Sequence, residues 1–308
     1  MSDTNKTNEN IHTKCGYVAI VGRPNVGKST LLNHLLGQKL SITSRKPQTT
    51  RHTILGIDTR ENTQIIFVDT PGQHIDQGGK ALNRYLNRAA RTAMVDVDLL
   101  LFVVDSCQWT SEDQQILNRI RDANQATIIV VNKIDKLKDK NTLFPYLQNL
   151  ANELPSAELV PVSALNDDNL EKLHHLIINK LPAAPFIFDA AQITDRSVRF
   201  LSAEIIREKV TRQLGDELPY AVTVAIERFE EKESTCFVDA VIWVERSGQK
   251  NIVVGEKGAR IKLIGQQARP DIEGLVGKKV MLSLWVKVKS GWSDDERALR
   301  SLGYEDSE

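Results

Sequence analysis

The chain has 308 residues, of which 41% are apolar and 26% are charged, and this length and composition fit two globular domains. No apolar run approaches the roughly 20 residues that a membrane-spanning helix needs. Residues 1–14 are polar, so we expect a disordered tail and not a signal peptide. The three cysteines, at positions 15, 107 and 236, match neither a zinc-binding spacing nor a disulfide framework, which favours a reducing cytoplasm.

Lys and Arg total 40, and Asp and Glu also total 40, so the formal net charge is zero. That balance by itself argues against a nucleic-acid partner, but the charge is unevenly distributed. Residues 246–289 contain ten basic and three acidic residues, and such a local excess attracts phosphate chains. A solvated surface is the alternative that charge alone leaves open.

Short apolar runs alternate with helical patterns over residues 15–181, which predicts an α/β domain with a mostly parallel sheet and helices on both faces. The predicted strands are residues 17–21, 65–68, 99–104, 127–131 and 159–162, with 52–57 as an edge strand. The predicted helices are residues 28–36, 80–95, 111–123, 142–153 and 169–180. A segment rich in Pro and Ala then breaks the alternation, so residues 182–197 are assigned as a linker.

The remaining residues, 198–308, follow a different order, which predicts a smaller α+β domain with a C-terminal tail. A helix at 198–214 precedes strands at 220–228 and 235–245, a helix at 258–269 and a last strand at 278–289. Every second residue of that last strand, from Val280 to Val288, is apolar and is expected to face the core.

A phosphate-binding motif follows the first predicted strand. Residues 22–29 fit G-x-x-x-x-G-K-[ST] between a strand and a helix, the context that supports the motif. Its backbone N–H groups can wrap a β-phosphate, Lys28 can neutralise β- and γ-phosphate oxygens, and the Ser29 hydroxyl can bind Mg²⁺. The predicted phosphate-binding residues are Gly22, Arg23, Pro24, Asn25, Val26, Gly27, Lys28, Ser29 and Thr30.

A second motif, Asp69-Thr70-Pro71-Gly72, follows the predicted strand 65–68. Asp69 is expected to bind Mg²⁺, mostly through water. The Gly72 N–H is expected to reach a γ-phosphate oxygen, so that the next loop, beginning with Gln73, responds to that phosphate.

The segment 41–52 is rich in Ser, Thr and basic residues. It lies where such enzymes carry a mobile loop whose threonine completes the magnesium shell. Thr50 is the first choice for that threonine and Thr49 the second, so the predicted magnesium ligands are Ser29, Thr50 and Asp69.

A third motif, Asn132-Lys133-Ile134-Asp135, follows strand 127–131. The Asp135 carboxylate can accept hydrogen bonds from the guanine N1–H and 2-amine, whereas adenine offers neither donor, so the motif selects GTP over ATP. Asn132 is expected to tie this loop to the phosphate-binding loop, and the Lys133 stem to cover the base. Ser163 and Ala164 are expected to donate backbone N–H groups to the guanine carbonyl.

A G-x-x-G turn lies within the basic stretch, before the predicted helix 258–269. Such a turn lets a nucleic-acid backbone approach closely, which in this element order favours an RNA-binding KH domain over a plain turn. Trp285 shares a strand face with two lysines and pairs a stacking ring with phosphate-binding charges. The predicted RNA-binding residues are Gly255, Glu256, Lys257, Gly258, Arg260, Lys262, Arg269, Trp285, Lys287 and Lys289.

Together these residues resemble the bacterial Era GTPases. The resemblance rests on GRPNVGKS, QTTRH, DTPG, NKID and SAL, followed by VVGEKGARIKLIGQQAR and WVKVKSGWSDDERALRSLGY. It implies a P-loop GTPase domain joined to a type II KH domain, with GTP and GDP as ligands. It also implies a switch that binds the 3′ end of small-subunit ribosomal RNA and acts in small-subunit assembly. The family further suggests a monomer and peripheral contact of a cytoplasmic protein with the inner membrane.

Four residues are predicted to be catalytic: Lys28, Thr50, Gln73 and Asn25. Gln73 stands where the family usually has a hydrophobic residue and where Ras-like proteins keep a water-orienting glutamine. Asn25 resembles the asparagine of GTPases that bind K⁺ beside the phosphates, so K⁺ is a second candidate cofactor beside Mg²⁺. A local hydrogen bond that closes the turn is the alternative role for Asn25.

Two other functions compete with the RNA switch. One is a membrane-associated or signalling GTPase whose C-terminal domain binds a protein, and the basic G-x-x-G stretch disfavours it. The other is an RNA-binding module whose GTPase half only supports the fold, which the complete set of Lys28, Ser29, Asp69 and Asp135 disfavours.

Overall fold

A computed structural model describes residues 13–44, 49–72, 81–92, 96–214 and 222–301. The strands of the first domain are β1 (Lys14–Val21), β2 (Ile54–Arg60), β3 (Thr63–Asp69), β4 (Leu99–Asp105), β5 (Thr127–Asn132) and β6 (Glu158–Pro161). They form a six-stranded sheet in the order β2-β3-β1-β4-β5-β6. Neighbouring strands are parallel except β2, which runs antiparallel to β3.

The helices of this domain cover both faces of the sheet. They are α1 (Lys28–Leu35), α2 (Ala81–Thr92), α3 (Ser111–Ala123), α4 (Leu143–Glu153) and α5 (Leu170–Lys180). One core lies under α1 and α5, and a second lies under α3 and α4. Every residue of β4 and β5 is buried, as expected for parallel strands covered on both sides. The predicted α/β fold class is confirmed.

Polar residues end the interior strands. Asp69, Asp105 and Asn132 are the last residues of β3, β4 and β5, and Asp105 is directly paired with Asn132. The carboxyl ends of parallel strands meet at one edge, where α/β proteins bind their ligands. The sheet topology therefore brings three sequence-distant polar side chains to one site.

Several predicted boundaries shift. The edge strand begins at Ile54 instead of residue 52, and β3 and β4 each extend one residue further, to Asp69 and Asp105. Residues 1–12 lie outside the described part, but the predicted tail was too long, because Lys14 begins β1 and pairs with Thr63. The predicted linker lies along β2, where the Ile57 N–H donates to the carbonyl of Ile193 (2.9 Å).

The second domain contains α6 (Val198–Gln213), β7 (Val222–Glu231), β8 (Thr235–Val244), α7 (Ser247–Val254), α8 (Ala259–Val276), β9 (Lys279–Val288) and α9 (Glu296–Ser301). Its sheet has the order β7-β8-β9, with β7–β8 antiparallel and β8–β9 parallel. Helices α6 and α8 share one core with the inner face of this sheet. None of the described helices is long and apolar enough to cross a membrane.

Two predictions for the second domain were incomplete. The predicted order of helices and strands lacked α7. This helix has only eight residues, with Gly248 near its start and the run Ile252-Val253-Val254 at its end, and such a sequence carries little helical signal. The row of β9 residues predicted to face the core was also too long. Val280 and Val286 are buried, but Val288 is 38% exposed.

Apolar side chains of the two domains pack against each other in two clusters of described residues. Leu40 and Ile54 of the first domain pack against Leu201 of α6. Leu82 and Leu86 of α2 pack against the C-terminal segment, where Trp292 is fully buried. The second domain therefore contacts one segment that precedes β3 in the chain and another, α2, that follows it.

Candidate functional site

The loop between β1 and α1 has backbone geometry that its glycines make accessible. Gly27 has φ 103° and caps α1, and a Cβ there would lie only 2.4 Å from the Nδ2 atom of Asn132. Any side chain at this position would therefore be strained and would collide with the neighbouring loop. The glycine lets the loop lie against Asn132 at the end of β5. The backbone N–H groups at the start of α1 can then bind an anion.

Lys28 crosses this loop on its inner side. Its Nζ atom donates hydrogen bonds to the carbonyls of Gly22 (2.9 Å) and Arg23 (3.0 Å). Burial lowers the pKa of Lys28 to about 8, with Asp69 acting in the opposite direction. A phosphate placed in the loop would favour the charged form of this ammonium group.

Three predicted magnesium ligands meet beside Lys28. The Ser29 Oγ atom lies 2.8 Å from Thr50 Oγ1 and donates to Asp69 Oδ2 (3.0 Å). Asp69 is fully buried, and its Oδ1 atom has no hydrogen-bond partner among the described residues. Burial raises the pKa of this carboxyl group, against the hydrogen bonds of Ser41 and Ser29 and the charge of Lys28. The buried oxygen without a partner and the two hydroxyl groups form a donor set that fits Mg²⁺.

The loop after β5 is tied to the phosphate-binding loop by one side chain. Asn132 donates from Nδ2 to the carbonyl of Val26 (2.9 Å), while its Oδ1 accepts from the backbone N–H of Lys133 (2.7 Å) and of Ala164 (3.0 Å). The expected tie therefore exists. It also reaches the loop after β6, so one buried amide joins all three loops.

Asp135 is held at the exposed rim of this site. Its Oδ1 atom accepts a 2.6 Å hydrogen bond from the buried Ser163 hydroxyl. The Ser163 N–H donates to Asp168 (3.2 Å), and the Ala164 N–H is engaged by Asn132. A guanine carbonyl at this loop would consequently share the Ala164 donor with Asn132, and no sequence motif predicts that sharing.

The second domain carries its own turn between α7 and α8. Gly255 has φ 72°, and a Cβ there would lie 2.7 Å from the Cβ of Arg260. Lys257 and Gly258 also have positive φ, so the turn projects Lys257 outward. Arg260, predicted to bind RNA, donates to the carbonyl of Ile252 and so also ties α8 to α7.

A groove between α8 and β9 begins beyond this turn. Its lining consists of Ile261, Lys262, Gly265, Gln266, Arg269, Leu282 and Leu284. Leu282 and Leu284 form an apolar floor, while Lys262 and Arg269 are exposed along one side. An apolar floor beside two cations suits unstacked bases with their phosphates.

Comparisons with known proteins agree with both sites. Residues 17–133 match the model described as 50S ribosome-binding GTPase, and residues 217–293 match the KH domain. The chain is 60% identical over 294 residues to GTPase Era of Azotobacter vinelandii, which covers 96% of this chain and 98% of that protein. GTPase Era of Pseudomonas aeruginosa is 58% identical and covers 96% of both. The chain belongs to the Era family of GTPases.

Two solved Era structures have the same architecture. One is a crystal structure of Era with MgGDPNP and nucleotides 1506–1542 of 16S ribosomal RNA, which is 39% identical, covers 95% of this chain and 99% of that one, and has a TM-score of 0.92. The other is a variant of Aquifex aeolicus Era bound to GDP and AlF4⁻, 38% identical over the same shares, again with a TM-score of 0.92. The predicted GTPase–KH architecture of the Era family is thus confirmed.

Some predicted residues of this Era-family site have other partners. The side chain of Arg23 turns away from the loop and pairs with Asp113 (3.0 Å). The Thr70 hydroxyl donates to the carbonyl of Ile20 (2.9 Å). Asn25 is exposed with φ 63°, and its carbonyl accepts from Lys133 Nζ. Gln73 lies outside the described residues.

The predicted RNA residues of β9 do not line the groove. Trp285 and Lys287 extend from the opposite face of the sheet, because side chains alternate along a strand and the groove takes Leu284. Lys287 pairs there with Glu227 (2.7 Å) and lies 5.7 Å from the ring centre of Trp243. The strand pattern showed that these residues share a face, but not on which side α8 would pack.

Sequence reasoning missed two polar residues in the nucleotide site of this Era-family chain. Asp105 binds the Lys133 ammonium group (2.7 Å), and its position at the end of a predicted interior strand was an available signal. Ser41 donates to Asp69 Oδ2 (2.8 Å), and no sequence motif marks it.

Proposed function

We propose that this Era-family GTPase is a switch that hydrolyses GTP and binds small-subunit ribosomal RNA near its 3′ end. In this proposal it acts in assembly of the small ribosomal subunit. The observation that carries the proposal is the groove between α8 and β9, which joins an apolar floor to the cations Lys262 and Arg269 beside the G-x-x-G turn. The Era structure with a 16S ribosomal RNA fragment supports this assignment.

The residues around Asp69 have separate roles in GTP binding. Lys28, already pointing at the loop carbonyls, moves its ammonium group to the β- and γ-phosphate oxygens. Ser29, Thr50 and Asp69 hold Mg²⁺, Asp69 mostly through water. Bound there, Mg²⁺ supplies positive charge to the phosphate oxygens. Gly72 lies so close to Pro24 that a Cβ there would be 2.9 Å from the Pro24 Cγ atom, and its N–H donates to the γ-phosphate.

The base is selected at the other end of the site. Asp135 accepts from the guanine N1–H and 2-amine, and Ser163 keeps that carboxylate in place. Lys133 has φ 68° and is fixed by Asp105 and the carbonyl of Asn25. Its aliphatic stem covers the base from that anchored position.

Two residues are candidates for driving hydrolysis. Asn25 would hold K⁺ beside the phosphates, where the ion does the electrostatic work of an arginine finger. Gln73 would orient the attacking water. Replacing K⁺ by Na⁺ should slow hydrolysis several-fold in the parent and hardly at all in Asn25→Ala if K⁺ acts there. A Gln73→Leu variant with reduced turnover in both salts would favour the glutamine instead.

Loop contacts connect the nucleotide site to the KH domain. Arg207 of α6 donates to the carbonyl of Thr49 (2.5 Å), and Arg212 donates to the carbonyl of Thr43 (3.0 Å). Arg51 donates to the carbonyl of Val222 in β7 (2.7 Å). Movement of this loop on loss of the γ-phosphate would therefore reach the RNA-binding domain.

The decisive experiment changes the turn and leaves the GTPase domain intact. Changing Gly255 and Gly258 to Asp places two carboxylates where the RNA backbone must pass and strains two positive-φ positions. We expect binding to a 3′-terminal small-subunit ribosomal RNA fragment to collapse in a filter-binding assay while GTP hydrolysis survives. Unchanged RNA affinity would exclude the KH groove as the RNA site.

A second candidate function is a membrane-associated signalling GTPase whose KH domain binds a protein. Its specific support is the exposed apolar pair Met281 (60%) and Trp285 (46%) on the far face of the sheet. The family resemblance separately suggests a monomer in the cytoplasm with peripheral contact with the inner membrane. Light scattering and flotation with inner-membrane lipid vesicles test those two properties. A parent protein that does not bind the ribosomal RNA fragment in the filter-binding assay would favour this second function.

A further inference from the structure

The buried carboxylate of Asp69 is held through one of its two oxygens. Oδ2 accepts hydrogen bonds from Ser41 Oγ (2.8 Å) and Ser29 Oγ (3.0 Å), whereas Oδ1 has no partner among the described residues. Two donors on the same oxygen fix the plane of the carboxylate. They also leave Oδ1 as the acceptor that would be available to the water shell of a bound Mg²⁺.

Ser41 differs from Ser29 in having no other task at the site. The Ser29 oxygen is a magnesium ligand and also lies 2.8 Å from Thr50 Oγ1. Ser41 is only 1% exposed, and its hydroxyl donates to Asp69 Oδ2. When the Ser29 lone pairs turn to the metal, the Ser41 bond is the one that need not change.

Asn33 holds Ser41 in this position. The Asn33 Oδ1 atom accepts from the backbone N–H groups of Leu40 (2.9 Å) and Ser41 (2.8 Å), and its Nδ2 donates to the Ser41 carbonyl (2.7 Å). Asn33 lies four residues after Ser29 in α1, so the two side chains share one face of that helix. The helix that supplies a metal ligand therefore also fixes the serine that supports the second one.

We infer that Ser41, held by Asn33, is a positioning residue for Asp69 in the magnesium site of this protein. The inference rests on the proposed function. Partners that orient metal-binding carboxylates are worth about 10- to 100-fold in metal affinity. Because Ser41 acts through Asp69, its removal should lower the affinity for Mg²⁺. The contacts that the nucleotide makes without the metal should keep their strength.

The test measures release of a fluorescent GDP analogue from the full-length protein over a range of free Mg²⁺ concentrations. The Mg²⁺ concentration that gives half-maximal slowing of release should rise about tenfold in Ser41→Ala. The release rate in EDTA should stay at the parent value, which also reports an intact pocket. Ser111→Ala, an exposed serine at the start of α3, is the matched control and should follow the parent curve.

The outcomes separate the two levels of the argument. A Ser41→Ala curve that coincides with the parent overturns the positioning role and leaves the magnesium site standing. Release that changes equally in EDTA and in Mg²⁺ also overturns it, because the hydroxyl would then support the pocket generally. A parent protein whose GDP release ignores Mg²⁺ overturns both the inference and the proposed metal site.

Discussion

Glu208 of the KH domain accepts a 2.9 Å hydrogen bond at Oε1 from the backbone N–H of Thr43 in the GTPase domain. Its Oε2 atom lies 2.6 Å from the Lys39 ammonium group, and the side chain is fully buried. The Lys39 partner and the hydrogen bond from Thr43 lower the pKa of Glu208 despite burial. The carboxylate is therefore charged at neutral pH and fastens the loop 41–52 to α6.

Glu208→Ala should destabilise the protein by about 1–3 kcal/mol, because the Thr43 N–H loses its acceptor at the domain contact. Lys39 is partly exposed and keeps Asp271 as a partner (2.9 Å), so its charge adds little to the loss. We expect the midpoint of thermal unfolding to fall by about 2–6 °C. Glu233→Ala, an exposed glutamate in the same domain, should leave the midpoint within about 1 °C. Equal midpoints for the two variants would show that the carboxylate does not stabilise the interface.

Lower pH should destabilise the protein through His52. Burial lowers the pKa of His52 to about 4. Glu204 acts in the opposite direction, and the cations Arg207, Arg196 and Arg51 also lower the pKa. Between pH 4 and 6.5 the unfolded chain binds a proton that the folded protein does not, so stability falls as the pH falls below about 6.5. Relative to pH 7, the loss at pH 5 is about 2 kcal/mol.

His52→Gln removes this titration, so its unfolding midpoint should fall less between pH 7 and pH 5 than that of the parent. The comparison uses the pH-induced difference within each protein, because the substitution also removes the edge contact of the His52 ring with Phe200 (5.2 Å between centroids). The same drop in both proteins would assign the acid sensitivity to other groups.

The local motifs could be identified from the sequence because each is contiguous and follows a strand that is itself predicted from composition. The loops at residues 22–29, 69–72 and 132–135 therefore appear where the sequence places them. The contacts of Glu208 could not be predicted from the sequence, since Thr43 lies 165 positions away in the chain. No sequence pattern in α6 indicates that partner. Ser41 was missed for the same reason, because only the folded chain brings it to Asp69.

The groove and the far face of the KH sheet should differ in their effect on RNA. Arg269 lines the groove, whereas Lys287 lies on the opposite face and pairs with Glu227. Arg269→Ala should weaken binding of the ribosomal RNA fragment about tenfold, and Lys287→Ala about twofold or less. Filter binding at one fixed salt concentration checks both variants. The reverse order of effects would place the RNA on the far face, where Trp285 and Lys287, two of the predicted RNA-binding residues, lie.

Asp135→Asn should transfer base preference from guanine to xanthine. The Ser163 hydroxyl can still donate to the new amide oxygen, so the loop keeps its conformation while the second acceptor becomes an N–H donor. That donor repels the guanine 2-amine and matches the 2-carbonyl of xanthine. By analogy with bidentate base contacts, the loss of binding free energy for GTP is about 1–3 kcal/mol.

Displacement of a fluorescent nucleotide by GTP or XTP measures both affinities. Asp122→Asn, an exposed aspartate of α3, should bind GTP like the parent. Parent-like GTP affinity in Asp135→Asn would mean that another group reads the base.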